Sequence, residues 1–434
     1  MATAGGALPR FLSAFQDACR AGDGEGLRAC VSVREVPYDA LQRDVQPVQD
    51  ADALCSAQLD VGNAATHKRF AALAAEVLDY VRTHLTPRAV PADADVQAYD
   101  DWVKVYARVS ALFALPEMAW IVPALKYVAQ ELVALAIRVD TAGPSRAYTK
   151  TIDAAGRLSK SAGLAANDRS ASPGPATKRA AVLALANLSF RAYFKLNNTR
   201  LCETVLGSVQ NALMMNRRYH APGDVDAAAL TGEEGYPLAE RVTYRFYLGQ
   251  LRLIQHRVHQ AAEHLRWAFD HCTSAHMHNR RKILIPLVAA YLILGRYATP
   301  TLLARFQLTD VFGALLHYHR LGYGAAVERE LERHRDWLRA RGLYLLLSEK
   351  AMLGVWRNLF RRCLTLIQPP GAVTAAPSAP PTLPLAALVG PARFAWQDAS
   401  LTIDDMECVA ANLIDQVRGA IHNFRRITDG YHRA

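Results

Sequence analysis

The 434-residue sequence lacks the motifs by which most enzyme classes are recognised. It has no phosphate-binding loop G-x-x-x-x-G-K-[ST], no nucleophile elbow G-x-S-x-G, no zinc-protease H-E-x-x-H and no calcium-binding loop. Long hydrophobic runs are missing too: the longest, Ile283 to Leu294, has 12 residues, whereas a helix needs about 20 to span a bilayer. These absences predict a protein that is not an enzyme, needs no cofactor and does not insert into a membrane.

Cysteines are few and isolated in the sequence. The 7 cysteines are widely spaced, and none belongs to a C-x-x-C pair. An odd number without paired spacing is not typical of a disulfide framework or of a zinc ribbon. The sequence therefore predicts reduced, mostly buried thiols in a cytosolic or nuclear protein.

Histidines gather in one short stretch of the sequence. Its metal-ligating residue types are His256, His259, His264, His271, Cys272, His276 and His278. On one unbroken helix, His256, His259 and Glu263 share a face that can hold a metal ion. The helical pattern instead places a turn between His256 and His259. We therefore expect histidines that face solvent, and no metal site.

Positive charge is distributed unevenly along the chain. The 50 basic residues, of which only 9 are lysines, outnumber the 40 acidic residues and give a formal net charge of +10. Residues 1–174 hold 18 basic and 20 acidic residues, residues 175–340 hold 22 and 13, and residues 341–434 hold 10 and 7. A concentrated positive field attracts acidic protein, nucleic acid or anionic membrane. The charge pattern thus predicts that acidic partners bind after residue 174.

Helical periodicity dominates the sequence, and strand patterns are rare. Apolar residues recur at spacings of three and four, as in Phe70, Leu73 and Val77. We predict an all-α fold class: a TPR- or HEAT-like solenoid of helix pairs, followed by a C-terminal winged helix. The predicted parts are an N-terminal helical region (1–153), a flexible linker or loop (154–177), a TPR-like solenoid (178–340) and a winged helix (341–434).

The helix pairs of the solenoid can be placed individually. A Leu-Gly step at Leu248 and Gly249, followed by Ala261 and Leu265, has the order of a tetratricopeptide-like pair whose small residues allow close packing. The predicted pairs are 181–194 with 202–215, 239–256 with 259–272, 281–294 with 300–306, and 311–321 with 324–339.

The winged-helix prediction depends on the order of elements near the C-terminus. Thr402 and Asp405 have the spacing of a capping box, which starts a helix whose inward face begins at Met406. The predicted elements are a long helix over 342–367, a proline-rich loop over 368–385, the capped helix, and two β-prone pieces at 419–421 and 426–428.

Basic residues near the C-terminus form two sets. Arg357, Arg361 and Arg362 belong to one predicted helix, where the i, i+4 spacing places Arg357 and Arg361 on the same face. The second set, in the predicted wing, contains Arg418, His422, Arg425 and Arg426. The capped helix is acidic at its start, which argues against base reading and favours phosphate contact. An ordinary solvated hairpin remains the alternative for the wing.

Several stretches resemble PCI-domain proteins, in particular the Thp-type branch of that family. The similarity runs in order from about Ala181 to Thr428. The matching stretches are YFKLNNTRLCETVL (193–206), AERVTYRFYLGQ (239–250), AAEHLRWAFDHC (261–272), NRRKILIPLVAAYLILG (279–295), WRNLFRR (356–362), ANLI (411–414) and RGAI (418–421).

The resemblance implies a non-catalytic scaffold subunit of the nuclear TREX-2 messenger RNA export complex, located at the nuclear pore rather than in the cytoplasm. It implies that the winged helix pairs with a larger GANP-type scaffold protein, and that a small acidic DSS-type protein lies along the solenoid. The winged helix then contacts the RNA or DNA backbone through the two basic sets. By matched position, the residues expected to bind the partner are Trp356, Arg357, Asn358 and Phe360.

A related branch, the signalosome-associated twelfth-subunit-like proteins, shares the same motifs. The sequence does not separate the two branches. The alternative function is therefore a signalosome- or splicing-associated subunit that acts purely in protein–protein assembly.

Overall fold

The structure is a computed structural model. It describes residues 6–32, 38–62, 64–84, 92–143, 148–171, 177–219, 232–367 and 383–415. Over these ranges the chain is helical and has no strand. The predicted all-α class is confirmed, whereas the β-prone pieces of the wing lie outside the described residues. The chain divides into two compact units, Met1–Tyr247 and Leu248–Ala434.

The first unit is built from ten complete helices and the beginning of an eleventh. The complete helices are α1 (Ala7–Ala21), α2 (Gly24–Val31), α3 (Tyr38–Val45), α4 (Ala51–Gln58), α5 (Ala64–His84), α6 (Ala92–Phe113), α7 (Val122–Ala142), α8 (Thr149–Ala166), α9 (Val182–Lys195) and α10 (Leu201–Arg218). Helix α11 (Leu238–Ile254) begins in this unit.

Helix α7 is at the centre of the first unit, where it packs against α2, α6, α8 and α9. With the short 3₁₀ turn before it, it forms the segment Met118–Ala142, which is long and apolar enough to cross a membrane by length and composition. Most of that segment is buried within the protein, and the Trp102 indole of α6 donates a hydrogen bond of 3.0 Å to the Val128 carbonyl. The segment is therefore the core helix of this unit.

The linker predicted over 154–177 is wrong for its first half, because residues up to Ala166 belong to α8. Apart from Leu158, the buried face of α8 consists of small residues such as Ala154, Ala155 and Ser161, which let the helix approach α7 and α9 closely. The Ser161 hydroxyl lies 2.8 Å from the Tyr106 hydroxyl. A composition poor in large apolar residues therefore marks close packing here and not a loop.

The second unit contains the rest of α11 and nine further helices. These helices are α12 (Val258–His271), α13 (Met277–Ile293), α14 (Pro300–Arg305), α15 (Thr309–Leu321), α16 (Gly324–Arg333), α17 (Arg335–Arg339), α18 (Tyr344–Ile367), α19 (Ala386–Trp396) and α20 (403–415).

The helices that make up the four predicted pairs are present, and their ends lie within a few residues of the predicted ones. The last pair differs in one respect, because its second helix is divided at His334 into α16 and α17. The predicted close approach at the Leu-Gly step is also present: a Cβ atom on Gly249 would lie 2.6 Å from Leu265 Cγ. Only glycine at this position allows α11 and α12 to pack at that distance.

The C-terminal helices surround a small core of their own. Its buried residues are Leu359, Cys363, Leu388, Ala392, Ala395 and Met406. The carboxylate half of the predicted capping box is present, since the Asp405 carboxylate accepts hydrogen bonds from the Thr402 backbone N–H at 2.8 Å and from the Thr402 hydroxyl at 2.9 Å. Helix α19 was not foreseen in the sequence, and the predicted loop over 368–385 lies outside the described residues up to position 382.

Candidate nucleic-acid interface

A groove of about 950 Å³ runs along the second half of α18. We call it the basic groove and define it by its one histidine and four arginines, which are His317, Arg320, Arg357, Arg361 and Arg362. Helix α18 supplies the last three and α15 supplies the first two. The i, i+4 spacing of Arg357 and Arg361 turns both side chains to the same side of α18, as the sequence predicts.

The turn after α13 forms one wall of the basic groove. Gly295 in this turn has a φ of +72°, a left-handed conformation that glycine adopts without steric cost. A Cβ atom at this position would collide with the Arg357 guanidinium. The backbone conformation therefore favours glycine here, whereas a Cβ atom would only displace the flexible end of the Arg357 side chain.

The arginines of the basic groove are not neutralised by carboxylates in the described part of the chain. No aspartate or glutamate there lies within 4 Å of Arg320, Arg357 or Arg361, and Arg362 donates only to the Leu321 carbonyl, at 3.5 Å. Elsewhere in the same unit, Arg335 pairs with Glu332 at 2.8 Å. Unpaired cations that converge on one groove create a positive potential that favours an anionic ligand.

A hydrogen-bonded cluster around the buried His319 side chain supports the floor of the basic groove. Asn358 Nδ2 donates to the Tyr297 hydroxyl and to the His319 carbonyl, both at 2.8 Å. The Tyr297 hydroxyl lies 2.9 Å from His319 Nδ1, and His319 Nε2 lies 3.1 Å from the Ala351 carbonyl. Because a carbonyl only accepts, the proton is on Nε2 and Nδ1 accepts from Tyr297. We call these residues the His319 cluster.

The His319 side chain is held in its neutral form. Its pKa is lowered to about 4, chiefly by burial and also by the positive charge of Arg357, against the opposing effect of the hydrogen bond to Ala351. Gly354 on α18 makes room for the ring, since a Cβ there would lie 2.7 Å from His319 Nε2. The cluster thus joins α15, α18 and the turn after α13 without adding a charge beneath the groove.

The residues predicted to bind a partner have different positions in the structure. Trp356 stacks on Trp396 with ring centroids 4.6 Å apart and contacts Phe360 at 6.1 Å, so both pack on the C-terminal core. Asn358 belongs to the His319 cluster, and Arg357 is exposed in the basic groove. Three of the four side chains therefore have internal contacts, and partner binding through them stays a prediction.

Two of the residues predicted to bind nucleic acid are among those that the structure describes. Arg361 and Arg362 come together in the basic groove with Arg357. The wing residues Arg418, His422, Arg425 and Arg426 lie outside the described residues. The sequence interpretation missed His317 and Arg320, because only the packing of α15 against α18 brings them to the groove.

Large apolar side chains remain exposed on the C-terminal helices. Leu366 at the end of α18 is 79% exposed, and Phe394 of α19 is 78% exposed although its ring stacks against Tyr323 at 5.9 Å. Ile403 and Ile414 of α20 are about half exposed. Contiguous exposed apolar surface, rather than the number of exposed side chains, is what marks a protein-binding surface.

The histidine-rich stretch forms no metal site in the part of the chain that the structure describes, where no group of three metal-ligating side chains occurs. Helix α11 ends at Ile254 and α12 begins at Val258, so the predicted turn between His256 and His259 is confirmed. That turn separates the histidines that would share a face on an unbroken helix.

Similarity to known proteins covers both units. No family model matches the chain. The chain is 30% identical over 326 residues to a PCI domain-containing protein of Schizosaccharomyces pombe, an alignment that covers 72% of this chain and 68% of the relative. It is 29% identical to the PCI domain-containing protein 2 homolog of Dictyostelium discoideum, covering 55% of this chain and 48% of the relative. It is also 29% identical to PCI domain-containing protein 2 of Danio rerio, with 55% and 52% covered. The chain thus spans about half the length of the last two relatives.

Proposed function

Because this chain belongs to the PCI domain-containing protein family, whose members are typically non-catalytic scaffold subunits, we propose that it is a subunit of a nuclear complex of the TREX-2 type. In this proposal it acts in transcription-coupled messenger RNA export at the nuclear pore. It contacts the phosphates of RNA or DNA, pairs with a GANP-type scaffold protein and holds a small acidic DSS-type protein.

The basic groove is the observation that carries the nucleic-acid part of the proposal. Four arginines converge there, and no described carboxylate pairs with Arg320, Arg357 or Arg361. Arginine is suited to phosphate because its planar group donates two parallel hydrogen bonds. Each phosphate that is neutralised releases condensed counterions, so binding in this groove weakens steeply as salt rises.

Two further observations support the protein partners. The exposed apolar residues on α18, α19 and α20, among them Leu366 and Phe394, offer a surface for a second winged helix. The excess of 22 basic over 13 acidic residues between positions 175 and 340 complements an acidic chain. Such a chain must gain enough binding energy to offset the entropy it loses on ordering.

A charge reversal in the basic groove tests the nucleic-acid proposal. We expect Arg361→Glu to weaken the binding of a fluorescently labelled single-stranded RNA roughly tenfold or more at low salt, because a charge-assisted hydrogen bond is lost. The slope of log affinity against log salt should become shallower by about 0.7, the value for one phosphate contact on a single strand. Fluorescence anisotropy over a salt series measures both quantities.

Arg339→Glu is the matched control, because Arg339 is an exposed arginine of α17 that does not line the groove. It changes the net charge of the protein equally. Equal weakening by the two variants would attribute the binding to net charge alone and contradict the assignment of the groove.

The exposed apolar side chains also favour a second candidate function, in which the chain is a signalosome- or splicing-associated subunit that only joins proteins. Affinity purification of the tagged chain followed by mass spectrometry separates the candidates. Recovery of a GANP-type scaffold supports the first function, and recovery of signalosome or splicing subunits without RNA supports the second.

A further inference from the structure

A second, smaller cavity of about 320 Å³ lies between α12 and α13. We call it the stacking pocket and define it by the side chains that shape it, which are Arg266, Trp267, His271, Tyr291 and Arg296. The size is at the lower end of the range of about 300–1,000 Å³ that is typical of small-ligand sites. The role proposed for the basic groove does not explain this pocket, and the histidine-rich stretch has no assigned role that would.

The stacking pocket contains an aromatic platform. Trp267 and His271 are one helical turn apart on α12, and their rings stack with centroids 4.0 Å apart and an angle of 14° between the planes. A hydrogen bond of 2.8 Å between His271 Nδ1 and the Trp267 carbonyl fixes the histidine ring in that position. The Arg296 guanidinium lies 5.7 Å from the centre of the Tyr291 ring on the other side of the pocket. Flat groups therefore shape both sides of the pocket.

The charges in the stacking pocket favour a neutral ring over an anion. Arg266 Nε pairs with the Asp270 carboxylate at 3.2 Å, and the Glu263 carboxylate also lines the pocket. These carboxylates repel a phosphate or an acidic side chain, whereas a ring with polar edges can both donate and accept hydrogen bonds there. The basic groove has the opposite character, since Arg320, Arg357 and Arg361 lack such carboxylates.

The two cavities share one wall, the turn that follows α13. Leu294 lines both of them, Gly295 and Tyr297 line the basic groove, and Arg296 lines the stacking pocket. Successive Cα atoms are only about 3.8 Å apart, so a ligand that crosses this turn meets the arginines of the groove on one side and the flat groups of the pocket on the other.

We propose that the stacking pocket takes an unpaired nucleobase of a single-stranded nucleic acid whose phosphates lie in the basic groove. The inference rests on the proposed function, because it requires that the groove binds a nucleic-acid backbone. It adds that the ligand is single-stranded: in a duplex the faces of the bases are already stacked, while an unpaired base can turn out and stack on aromatic rings and guanidinium planes.

Three probes and one substitution test the stacking pocket in the full chain. The probes are a labelled 12-nucleotide single-stranded RNA, a 12-nucleotide strand with the same backbone but without bases, and a 12-base-pair duplex. We expect Trp267→Ala to weaken binding of the RNA by about 5- to 150-fold, the loss that removal of one stacking partner causes. Binding of the base-free strand and of the duplex should not change, and the salt dependence for the RNA should keep its slope.

Two further variants control for damage to the fold. Trp337→Ala removes another half-buried tryptophan of the second unit that lines neither cavity, and it should leave binding of the RNA unchanged. Trp267→Phe keeps an aromatic face and should retain most of the affinity. Weakening of the base-free strand to the same extent as the RNA, or equal affinities of Trp267→Ala and wild type for the RNA, would overturn the proposal.

The same titrations separate this inference from the proposed function. If Arg361→Glu weakens binding of all three probes and Trp267→Ala weakens binding of none, the assignment of the pocket is wrong and the assignment of the groove is supported. If Arg361→Glu changes neither affinity nor salt slope, the groove assignment fails and the inference fails with it. An acidic peptide whose binding depends on Trp267 as strongly as RNA binding does would assign the pocket to a protein ligand and overturn the inference.

Discussion

Two basic side chains of the first unit and the arginines of the basic groove in the second unit have contrasting surroundings. In the first unit, Arg179 is fully buried, and Lys126 of α7 forms an ion pair of 2.5 Å with Glu240 of α11. In the second unit, Arg320, Arg357 and Arg361 face an open groove without a described carboxylate. Buried cations with partners hold a unit together, whereas exposed cations without partners are available to a ligand. The same residue type, arginine, thus has a structural role in one place and a proposed ligand-binding role in the other.

Removal of the buried arginine should have the largest effect on stability. Arg179 donates to Asn216 Oδ1 at 2.8 Å and to the carbonyls of Asp168 and Ser170 at 2.7 and 3.0 Å. Arg179→Ala removes the donor of three part-buried hydrogen bonds and opens a cavity where the fully buried side chain was, so we expect a loss of about 3–5 kcal/mol in the free energy of unfolding.

Urea denaturation of wild type and variant measures this loss. Arg169→Ala is the matched control, because Arg169 is exposed in the same stretch of chain, and we expect it to change the free energy of unfolding by less than about 0.5 kcal/mol. Similar values for the two variants would remove the contrast between buried and exposed arginines.

Acid should destabilise the second unit through His319. Its pKa is about 4 in the folded protein and near its ordinary value of 6.5 in the unfolded chain, so the unfolded chain binds the proton first as pH falls. The stabilisation is present above pH 6.5 and is lost between about pH 6.5 and 4, to a total of about 3 kcal/mol.

A comparison with His319→Gln isolates this effect, because the variant keeps a polar side chain that does not titrate. We expect the wild type to lose about 2–3 kcal/mol more than the variant between pH 7 and pH 4.5, measured as free energies of unfolding in urea. Parallel pH profiles of the two proteins would show that His319 is not held neutral in the fold.

The smallest effect on stability is expected from the basic groove. Arg361 has no described acidic partner, so Arg361→Glu should change the free energy of unfolding by less than about 0.5 kcal/mol although it weakens RNA binding. A loss above about 1.5 kcal/mol in urea denaturation would show that the groove arginines serve the fold, as those of the first unit do.

The sequence predicts the second unit better than the first because large apolar residues at helical spacing mark its helices. Two helices that the sequence analysis did not predict, α8 and α19, are explained by their packing. The small buried residues of α8, such as Ala154 and Ala155, resemble those of a loop by composition, and only their contacts with α7 and α9 show that they lie in a helix. Helix α19 follows the proline-rich stretch, and its Trp396 stacks on Trp356 across 40 positions of sequence.

The candidate site was predictable only where one helix supplies it. The i, i+4 spacing identifies Arg357 and Arg361 from the sequence alone. Arg320 comes from α15, and Trp267 and Arg296 lie on two sides of a second cavity, so none of these three has a sequence signal that joins it to α18. The fold of the second unit brings them together.

The most direct test of the basic groove is photo-crosslinking of single-stranded RNA to the full chain, followed by mass spectrometry of the crosslinked peptides. We expect crosslinks in the turn at 294–297 and in the second half of α18, and we expect Arg361→Glu to reduce them. Crosslinks confined to peptides of the first unit, unchanged by Arg361→Glu, would contradict the claim that this groove binds nucleic acid.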